Sequence, residues 1–285
     1  MMLDQQVLTP AEFVLFQKLM YERTGIYLKE AKMSLVANRL RARLRELTLP
    51  SYQAYYEYVL RHGDELTACI DAITTNETYF FREPRQWEYF ASDMLPELVQ
   101  RNGKTRTLKI WSAASSTGEE PYTIAIFLKE HLPAGWTSSI IASDINSQVL
   151  QRARTGIYRP YAVNKTDAAL VRKYFAVKKL TGKDRLPIDH ALPAGEEYHL
   201  DPAVRAMVQF KTHNLKDRYP LTRFDMIFCR NVLIYFNDES KRLVLQNLYE
   251  SLVPNGYLLL GAAEGMMGMN LKFRTLRPSI YQRVE

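Results

Sequence analysis

The stretch "KIWSAASSTGEEPYTIA" at residues 109–125 decides the fold, because a strand, a loop of small residues and a helix start follow one another in it. The run "LKIW" predicts a short buried strand, and "EEPYTIAIFLKE" predicts a helix with Pro121 in its first turn, where the missing N–H costs nothing. This order is typical of the mouth of a nucleotide-binding fold. The loop, however, offers one glycine followed by Glu119 and Glu120, whereas phosphate-binding loops offer several glycines and a lysine. The sequence therefore predicts a ligand that is not held by a phosphate.

Apolar runs downstream continue the alternation of strands with helices. The runs predicted as strands are "SIIASD", "MVQFKTH", "FDMIFC" and "YLLLGAA". Strands that alternate with helices indicate a mostly parallel sheet, so the predicted class is α/β. The polar segment from about Lys178 to Arg205 contains glycine and proline and interrupts the pattern. We interpret it as a small inserted β-subdomain at about residues 178–206.

The N-terminal residues instead predict an all-helical domain. Thr9, Pro10 and Glu12 form the pattern of a helix start, with Thr9 as the N-cap and Glu12 completing a capping box, and Gly25 is expected to end this helix. A second helix is predicted at about residues 30–47, with a buried face made of Met33, Ala37, Leu40 and Leu44. The predicted organisation is a helical domain, an interdomain linker and an α/β domain, at residues 1–73, 74–84 and 85–285.

The composition is that of an ordinary globular protein, since 47% of the 285 residues are hydrophobic and 24% are charged. Cys69 and Cys229 are far apart and lie in no CxxC motif, which argues against a zinc site and against a disulfide framework. The N-terminus lacks the pattern of a secretory signal, and no apolar run is long enough to cross a bilayer, so we expect a cytoplasmic protein. The formal net charge of +7 makes an acidic partner plausible without identifying it.

Acidic residues stand where a ligand of the predicted sheet would bind. Asp144 ends the second predicted strand, a position at which an acid commonly binds the hydroxyl groups of a ribose. The G-x-G-x-x-G pattern of dinucleotide sites is absent, and Glu119 and Glu120 favour a cationic ligand. S-adenosylmethionine fits, because it has a ribose, a sulfonium charge, an α-amino group and no phosphate. The alternatives are that Glu119 and Glu120 only stabilise the helix start and that Asp144 is an N-cap.

Polar residues also follow two other predicted strands. Asn214 and Leu215 come after "MVQFKTH", and an amide beside an apolar side chain suits the edge and face of an adenine. Arg230, Asn231 and Tyr235 come after "FDMIFC". A charged group at the end of a buried strand is unusual unless it is paired, which supports a site; the alternative is a polar surface loop.

Five ordered motifs extend over nearly the whole chain: "TTNETYFFREPRQW", "WSAASSTGEEPY", "ASDINSQVLQRARTGIY", "HNL" and "FDMIFCRNVLIYF". Together they resemble the CheR-type chemotaxis receptor methyltransferases, which are S-adenosylmethionine-dependent protein-glutamate O-methyltransferases. The resemblance implies a Rossmann-like class I methyltransferase sheet with an N-terminal all-helical domain and a small inserted β-subdomain. It implies methylation of glutamates on chemoreceptor cytoplasmic helices by a monomer, with no metal, no nucleic acid and no insertion into the membrane.

The resemblance also implies roles for individual residues. Arg82 and Tyr235 would flank the transferring methyl group as catalytic residues; for Arg82 the alternative is an ion pair with Glu77 or Glu83. The residues expected to hold the cofactor are Asn76, Thr78, Arg82, Glu119 or Glu120, Asp144, Asn214, Leu215, Arg230 and Asn231. Two departures from the family pattern are Ser115, where Cys or Ala is expected, and the length of the inserted segment.

The predicted helix "KMSLVANRLRARLREL" carries basic residues at helical spacing, with Lys32, Arg39 and Arg43 along one flank. We expect this flank to dock an acidic receptor helix, and the alternative is a solvated face. A nucleic-acid methyltransferase is disfavoured, because "CRNVLIY" stands where amino-methylating enzymes of that class typically carry D/N-P-P-Y/F. Arg82 and Tyr235 disfavour a scaffold that binds S-adenosylmethionine without turnover.

Overall fold

The computed structural model describes residues 7–180, 195–220, 223–266, 268 and 270–284. They form a helical N-terminal domain and an α/β domain. The helices are α1 (Pro10–Thr24), α2 (Met33–Glu46), α3 (Tyr52–Arg61), α4 (Gly63–Ile73), α5 (Pro84–Tyr89), α6 (Leu95–Arg101), α7 (Glu119–His131), α8 (Ser147–Thr155), α9 (Pro160–Val163), α10 (Ala168–Tyr174), α11 (Pro202–Arg205) and α12 (Asp238–Ser251). The strands are β1 (Thr107–Ala113), β2 (Thr137–Asp144), β3 (Ile157–Tyr158), β4 (Phe175–Lys179), β5 (Glu196–Leu200), β6 (Val208–Thr212), β7 (Phe224–Cys229), β8 (Leu252–Leu260), β9 (Phe273–Arg277) and β10 (Ile280–Arg283). Among the described helices, none combines the length and the apolarity that crossing a bilayer requires.

The first helix begins and ends where the sequence predicts. The Thr9 hydroxyl accepts a hydrogen bond from the Glu12 N–H at 3.2 Å, and the Glu12 carboxylate accepts one from the Thr9 N–H at 2.9 Å, so the capping box is confirmed. Gly25 follows the helix in the left-handed conformation with φ of 78°. The next helix, α2, buries Val36, Ala37, Leu40 and Leu44, whereas Met33, its first residue, is half-buried and packs against the same core.

The central sheet has the strand order β6-β2-β1-β7-β8-β10-β9. The pairs β1–β2, β1–β7, β2–β6 and β7–β8 are parallel, and β10 runs antiparallel between β8 and β9. The predicted mostly parallel sheet is therefore confirmed. All six residues of β7 are buried, which explains why "FDMIFC" is almost continuously apolar. The strand order reverses at β1, and ligands of such sheets bind in the crevice at the carboxyl ends of the strands on either side of that point.

A second, antiparallel sheet has the order β3-β5-β4 and forms the small β-subdomain. Its first strand is Ile157–Tyr158, which lies about 20 residues before the predicted start of the insertion near residue 178. A two-residue strand has no periodicity, and only its pairing with Tyr198 and His199 defines it. Residues 181–194, the middle of the predicted insertion, lie outside the described part of the chain.

The linker that follows α4 is anchored to the α/β domain at its centre. Phe80 is fully buried and packs edge-on against Tyr158 and Phe175, with ring centroids 4.8 and 5.1 Å apart. Its N–H donates to the Ala162 carbonyl oxygen at 2.9 Å. Two residues later the Arg82 carbonyl oxygen accepts from the Trp87 indole at 2.9 Å. The aromatic run before Arg82 thus fixes the direction of the linker.

Two of the three predicted docking residues, Arg39 and Arg43, are half-buried and paired within the helical domain. The Arg43 guanidinium donates through Nε and Nη2 to both carboxylate oxygens of Glu65, at 2.9 and 2.6 Å, and Glu65 also accepts from the Tyr55 hydroxyl at 2.8 Å. Arg39 Nη1 donates to the carbonyl oxygens of Ile73 and Thr74 at 2.5 and 2.8 Å. These contacts contradict the prediction of a free basic flank at Arg39 and Arg43, because both guanidinium groups are used within the fold.

We predict that Arg43→Ala lowers the free energy of unfolding by about 3 kcal/mol, because it leaves the buried Glu65 carboxylate without its partner cation. The matched control is Lys18→Ala, which removes an exposed ion pair with Glu22 at 3.9 Å and should change the free energy by less than about 0.5 kcal/mol. Urea denaturation of the two variants measures both values. Equal effects of the two substitutions would show that the Arg43–Glu65 pair contributes no more than a surface contact.

Candidate active site

A cavity of about 320 Å³ lies at the carboxyl ends of β1, β2 and β7 and is closed by the helical domain. Its volume is within the range of small-molecule sites, roughly 300–1,000 Å³. Most of the predicted site residues line it together: Lys32, Asn76, Thr78, Arg82, Glu120, Asp144, Asn214, Leu215, Arg230, Asn231 and Tyr235. Glu119, Arg39 and Arg43 are predicted site residues that do not line it.

The small-residue loop after β1 turns tightly, and its only glycine is required by its neighbours. Ala114, Ser116 and Gly118 have φ of 63°, 49° and 95°, all in the left-handed region. A Cβ atom on Gly118 would lie 2.9 Å from the Ala153 Cβ and 3.0 Å from the Tyr158 hydroxyl, so a side chain does not fit. The Ser116 N–H donates to the Asp144 carboxylate at 2.8 Å. The loop therefore offers a backbone donor to the protein's own acid instead of to a phosphate.

The Asp144 carboxylate is held in place at the tip of β2. Its Oδ2 accepts from the Ser116 N–H, and its Oδ1 accepts from the Asn146 N–H at 2.9 Å. Burial raises the pKa of Asp144, whereas these backbone hydrogen bonds lower it. The N-cap of α8 is Asn146, whose side chain accepts from the Val149 N–H at 3.0 Å, so the alternative of Asp144 as an N-cap is wrong. A positioned acid at a strand tip suits the two hydroxyl groups of a ribose.

Arg230 at the end of β7 is buried and paired, which rules out the alternative of a polar surface loop at this position. Its Nε donates to Glu120 Oε2 at 2.7 Å, and Glu120 Oε1 accepts from the Ser112 hydroxyl at 2.6 Å. Arg230 Nη1 donates to the Arg82 carbonyl oxygen at 2.8 Å and to the Gln86 amide oxygen at 3.1 Å. One guanidinium thus joins the first turn of α7, the end of β7 and the linker.

Of the two adjacent glutamates, the structure brings only Glu120 into the cavity. Glu119 is buried behind the loop, where its carboxylate accepts from the Thr117 hydroxyl at 2.6 Å. Burial raises the pKa of Glu119 to about 7. Adjacent residues of a helix point about 100° apart, so only one of the two side chains can face the cavity. The sequence alone could not predict which one. Of the two alternatives that the sequence offered, the lining of the cavity favours Glu120.

Arg82 and Tyr235 both line the cavity, and neither Glu77 nor Glu83 is paired with Arg82 as the alternative required. The Glu77 carboxylate accepts from the Tyr161 hydroxyl at 2.9 Å, and the Glu83 carboxylate accepts from the Ala262 N–H at 3.0 Å. Arg82 Nη1 donates only to a backbone oxygen, that of Glu77, at 3.1 Å among the described contacts. Its guanidinium lies 5.7 Å from the Tyr79 ring centroid. The charge of Arg82 thus stays available to a ligand.

The two residues expected at an adenine differ in what holds them. Leu215 is buried and lines the cavity, as the prediction requires. The Asn214 amide nitrogen donates to the Arg23 carbonyl oxygen at 2.8 Å, and its Oδ1 accepts from the Lys216 N–H at 3.1 Å. Asn214 therefore joins the two domains at the edge of the cavity, in addition to lining it.

Sequence reasoning missed the wall that residues 26–29 of the helical domain contribute. Ile26 forms an isolated antiparallel bridge with Phe236, and the Tyr27 N–H donates to the Tyr235 carbonyl oxygen at 2.8 Å. His213 was missed as well: it lines the cavity, and its ring packs edge-on against Trp111. Contacts between segments some 200 residues apart leave no local pattern, so no periodicity or motif could have indicated this wall.

The strand order, the parallel register and a cavity with an acid at the tip of β2 define a Rossmann-like class I methyltransferase fold with an N-terminal helical domain. Residues 76–281 match the family "CheR methyltransferase, SAM binding domain", and residues 11–74 match "CheR methyltransferase, all-alpha domain". The chain belongs to the CheR methyltransferase family. The resemblance and the fold class predicted from the motifs are thereby confirmed.

Curated relatives match over almost their whole length. Chemotaxis protein methyltransferase 2 of Vibrio cholerae serotype O1 is 36% identical over 282 residues, which cover 96% of this chain and 92% of the relative. Chemotaxis protein methyltransferase 1 of Pseudomonas aeruginosa is 34% identical over 96% of this chain and 94% of its own length. Chemotaxis protein methyltransferase of Borreliella burgdorferi is 33% identical over 93% and 92%. These relatives place the chain among the chemotaxis protein methyltransferases.

We predict that Glu119→Gln changes how stability depends on pH. The carboxyl group has a pKa of 4.5 when solvated and about 7 in the fold. Between pH 4.5 and pH 7 the native state therefore keeps a proton on Glu119 that the unfolded state has released. Native stability is then lost as pH rises from about 4.5 to 7, by up to roughly 3 kcal/mol, and the loss levels off above that. A carboxamide does not titrate. Chemical denaturation at pH 5 and pH 8 should show the variant gaining stability relative to the wild type at pH 8; a constant difference between the two proteins would contradict the raised pKa.

Proposed function

We propose that the protein transfers the methyl group of S-adenosylmethionine to glutamate side-chain carboxylates of chemoreceptor cytoplasmic domains. The observation that carries this proposal is the division of charge within one cavity. The Asp144 and Glu120 carboxylates that line it are largely buried, whereas Lys29 and Lys32, which also line it, are exposed. A cationic cofactor and an anionic substrate group are the pair of ligands that such a division accommodates.

The buried acids of the cavity support S-adenosylmethionine as the cofactor. Asp144 would bind the ribose hydroxyl groups, and Leu215 would contact the adenine, since both side chains line the cavity in fixed positions. Glu120 would accept from the α-amino group. Arg230 neutralises much of the Glu120 charge at 2.7 Å, so this acid acts as an oriented acceptor more than as a free negative charge. The Asp144 and Glu120 carboxylates accept hydrogen bonds, which suits a ligand that donates them and carries no phosphate.

Methyl transfer to a carboxylate requires alignment more than acid–base chemistry. S-adenosylmethionine supplies an activated methyl group on a sulfonium, and the substrate glutamate is already ionised near neutral pH, so the protein needs no general base. Arg82 would hold the substrate carboxylate, because a guanidinium matches its two oxygens. Tyr235 would pack or donate beside the methyl group. Fixing the reacting groups in line and excluding water can contribute roughly 7–11 kcal/mol in favourable cases.

The names of the relatives support a role in chemotaxis, because they are called chemotaxis protein methyltransferases. The motif resemblance implies chemoreceptor helices in the cytoplasm as the substrate. We therefore propose that the chain acts there on acidic receptor helices, as a monomer. Lys32, the remaining member of the predicted basic flank, lines the cavity, is exposed and would help to attract them.

The proposal predicts transfer of labelled methyl groups from S-adenosylmethionine to a receptor cytoplasmic domain. The product ester should be lost on mild base treatment, since methyl esters hydrolyse and methylamines do not. The control is the same receptor domain with its acceptor glutamates replaced by alanine, which should stay unlabelled. Label that resists base, or label on added RNA or DNA, would point to a different substrate class.

Two substitutions should separate cofactor binding from transfer. Asp144→Asn should weaken binding of S-adenosylhomocysteine by about tenfold or more, because a charge-assisted hydrogen bond is replaced by a neutral one. Arg82→Ala should leave that affinity within a few-fold of the wild type and lower turnover with receptor by about a hundredfold, the effect of removing a group that orients a reactant. Calorimetry and the methylation assay measure the two quantities. Reversed effects would exchange the roles of the two residues.

A further inference from the structure

Asn146 is a buried polar residue to which neither the motifs nor the proposed function give a role. It is 2% exposed and does not line the cavity. Its Oδ1 caps α8, while its Nδ2 donates to the Asp71 carbonyl oxygen at 3.1 Å and to the Thr74 hydroxyl at 2.7 Å. Its backbone N–H donates to Asp144 Oδ1 at 2.9 Å. One residue thus contacts the helical domain, the start of α8 and the acid at the tip of β2.

Asp71, in the last turn of α4, makes the reciprocal contact from the helical domain. Its carboxylate accepts from the Ser147 N–H at 3.0 Å and from the Ser147 hydroxyl at 2.8 Å. These donors belong to the first residue of α8, where the helix dipole favours a negative charge. Asp71 is buried and, like Asn146, does not line the cavity.

The end of α4 is held from its other side as well. Arg39 Nη1 donates to the Ile73 and Thr74 carbonyl oxygens, which are among the groups that a helix end leaves without an internal partner. Thr74 is the first residue of the linker that carries Asn76, Thr78 and Arg82. The backbone at residues 71–74 is therefore clamped between α2 and α8.

We propose that Asn146 and Asp71 form an interdomain latch that positions the Asp144 carboxylate and the start of the linker, and so controls cofactor affinity from outside the cavity. The Asn146 N–H can hold Asp144 Oδ1 only while α8 begins at this point, and the Asn146 and Asp71 side chains tie that start to α4. The two residues act as positioning residues. The cofactor part of this inference rests on the proposed function, because it takes S-adenosylmethionine as the ligand at Asp144.

Asn146→Asp tests the latch apart from the cap. Aspartate and asparagine cap helices equally well, so the acceptor for the Val149 N–H is kept. The substitution removes both side-chain donors and adds a negative charge beside Asp71 and Asp144. We expect binding of S-adenosylhomocysteine, measured by calorimetry, to weaken by about tenfold or more, and turnover at saturating cofactor to stay within a few-fold of the wild type. Asn237→Asp makes the same change at the N-cap of α12 and should leave the affinity within about twofold.

Hydrogen exchange gives a readout that needs no cofactor. Amides of residues 74–80 should exchange faster in Asn146→Asp than in Asn237→Asp, because the start of the linker is released. If Asn146→Asp does not fold, Asp71→Ala replaces it, with Asp64→Ala in the exposed first turn of the same helix as its control. Wild-type affinity or unchanged exchange in the latch variant overturns the latch. Failure of the wild type itself to bind S-adenosylhomocysteine overturns the proposed function, and the exchange comparison still decides the latch.

Discussion

The buried ion pair between Arg230 and Glu120 is the contact on which the arrangement of the cavity depends. It joins the end of β7 to the first turn of α7, and the same guanidinium binds the Arg82 carbonyl oxygen and so fixes the linker. Removing one partner of such a buried pair leaves the other charge without compensation, at a cost of about 3–5 kcal/mol. Both partners line the cavity, so the same two side chains hold the fold together and form part of the surface that a ligand would contact.

The cavity lies at the interface between the two domains, and both of them contribute residues to its walls. The α/β domain contributes the strand tips, as expected for a sheet whose order reverses at β1. The helical domain contributes residues 26–29 and the linker, which are bonded to the α/β domain through Tyr27, Asn214 and Asn146. Any motion that separated the domains would open one wall of the cavity, so cofactor binding and domain docking are expected to support each other.

The loop after β1 shows why a nucleotide-binding fold can dispense with a glycine-rich phosphate cradle. Its three left-handed residues turn the chain sharply, and only Gly118 lies too close to its neighbours to bear a side chain. The Ser116 N–H is used to hold Asp144. The backbone donor is satisfied inside the protein, and two largely buried acids line the cavity. The site therefore disfavours a pyrophosphate and suits a ligand that donates hydrogen bonds.

The sequence by itself determined the α/β class, the helical domain with its capping box at Thr9, the strand tips and many of the polar residues that line the cavity. These features depend on local periodicity, on capping chemistry and on the rule that parallel strands end at one edge. Only the tertiary structure decided that Glu120 and not Glu119 faces the cavity, that Arg39 and Arg43 are paired within the helical domain, and that β3 begins the small sheet. Each of these depends on a partner far along the chain: Arg230 for Glu120, Glu65 for Arg43, and β5 for β3. A side chain's own sequence neighbourhood does not reveal such a partner, because packing and long-range pairing choose it.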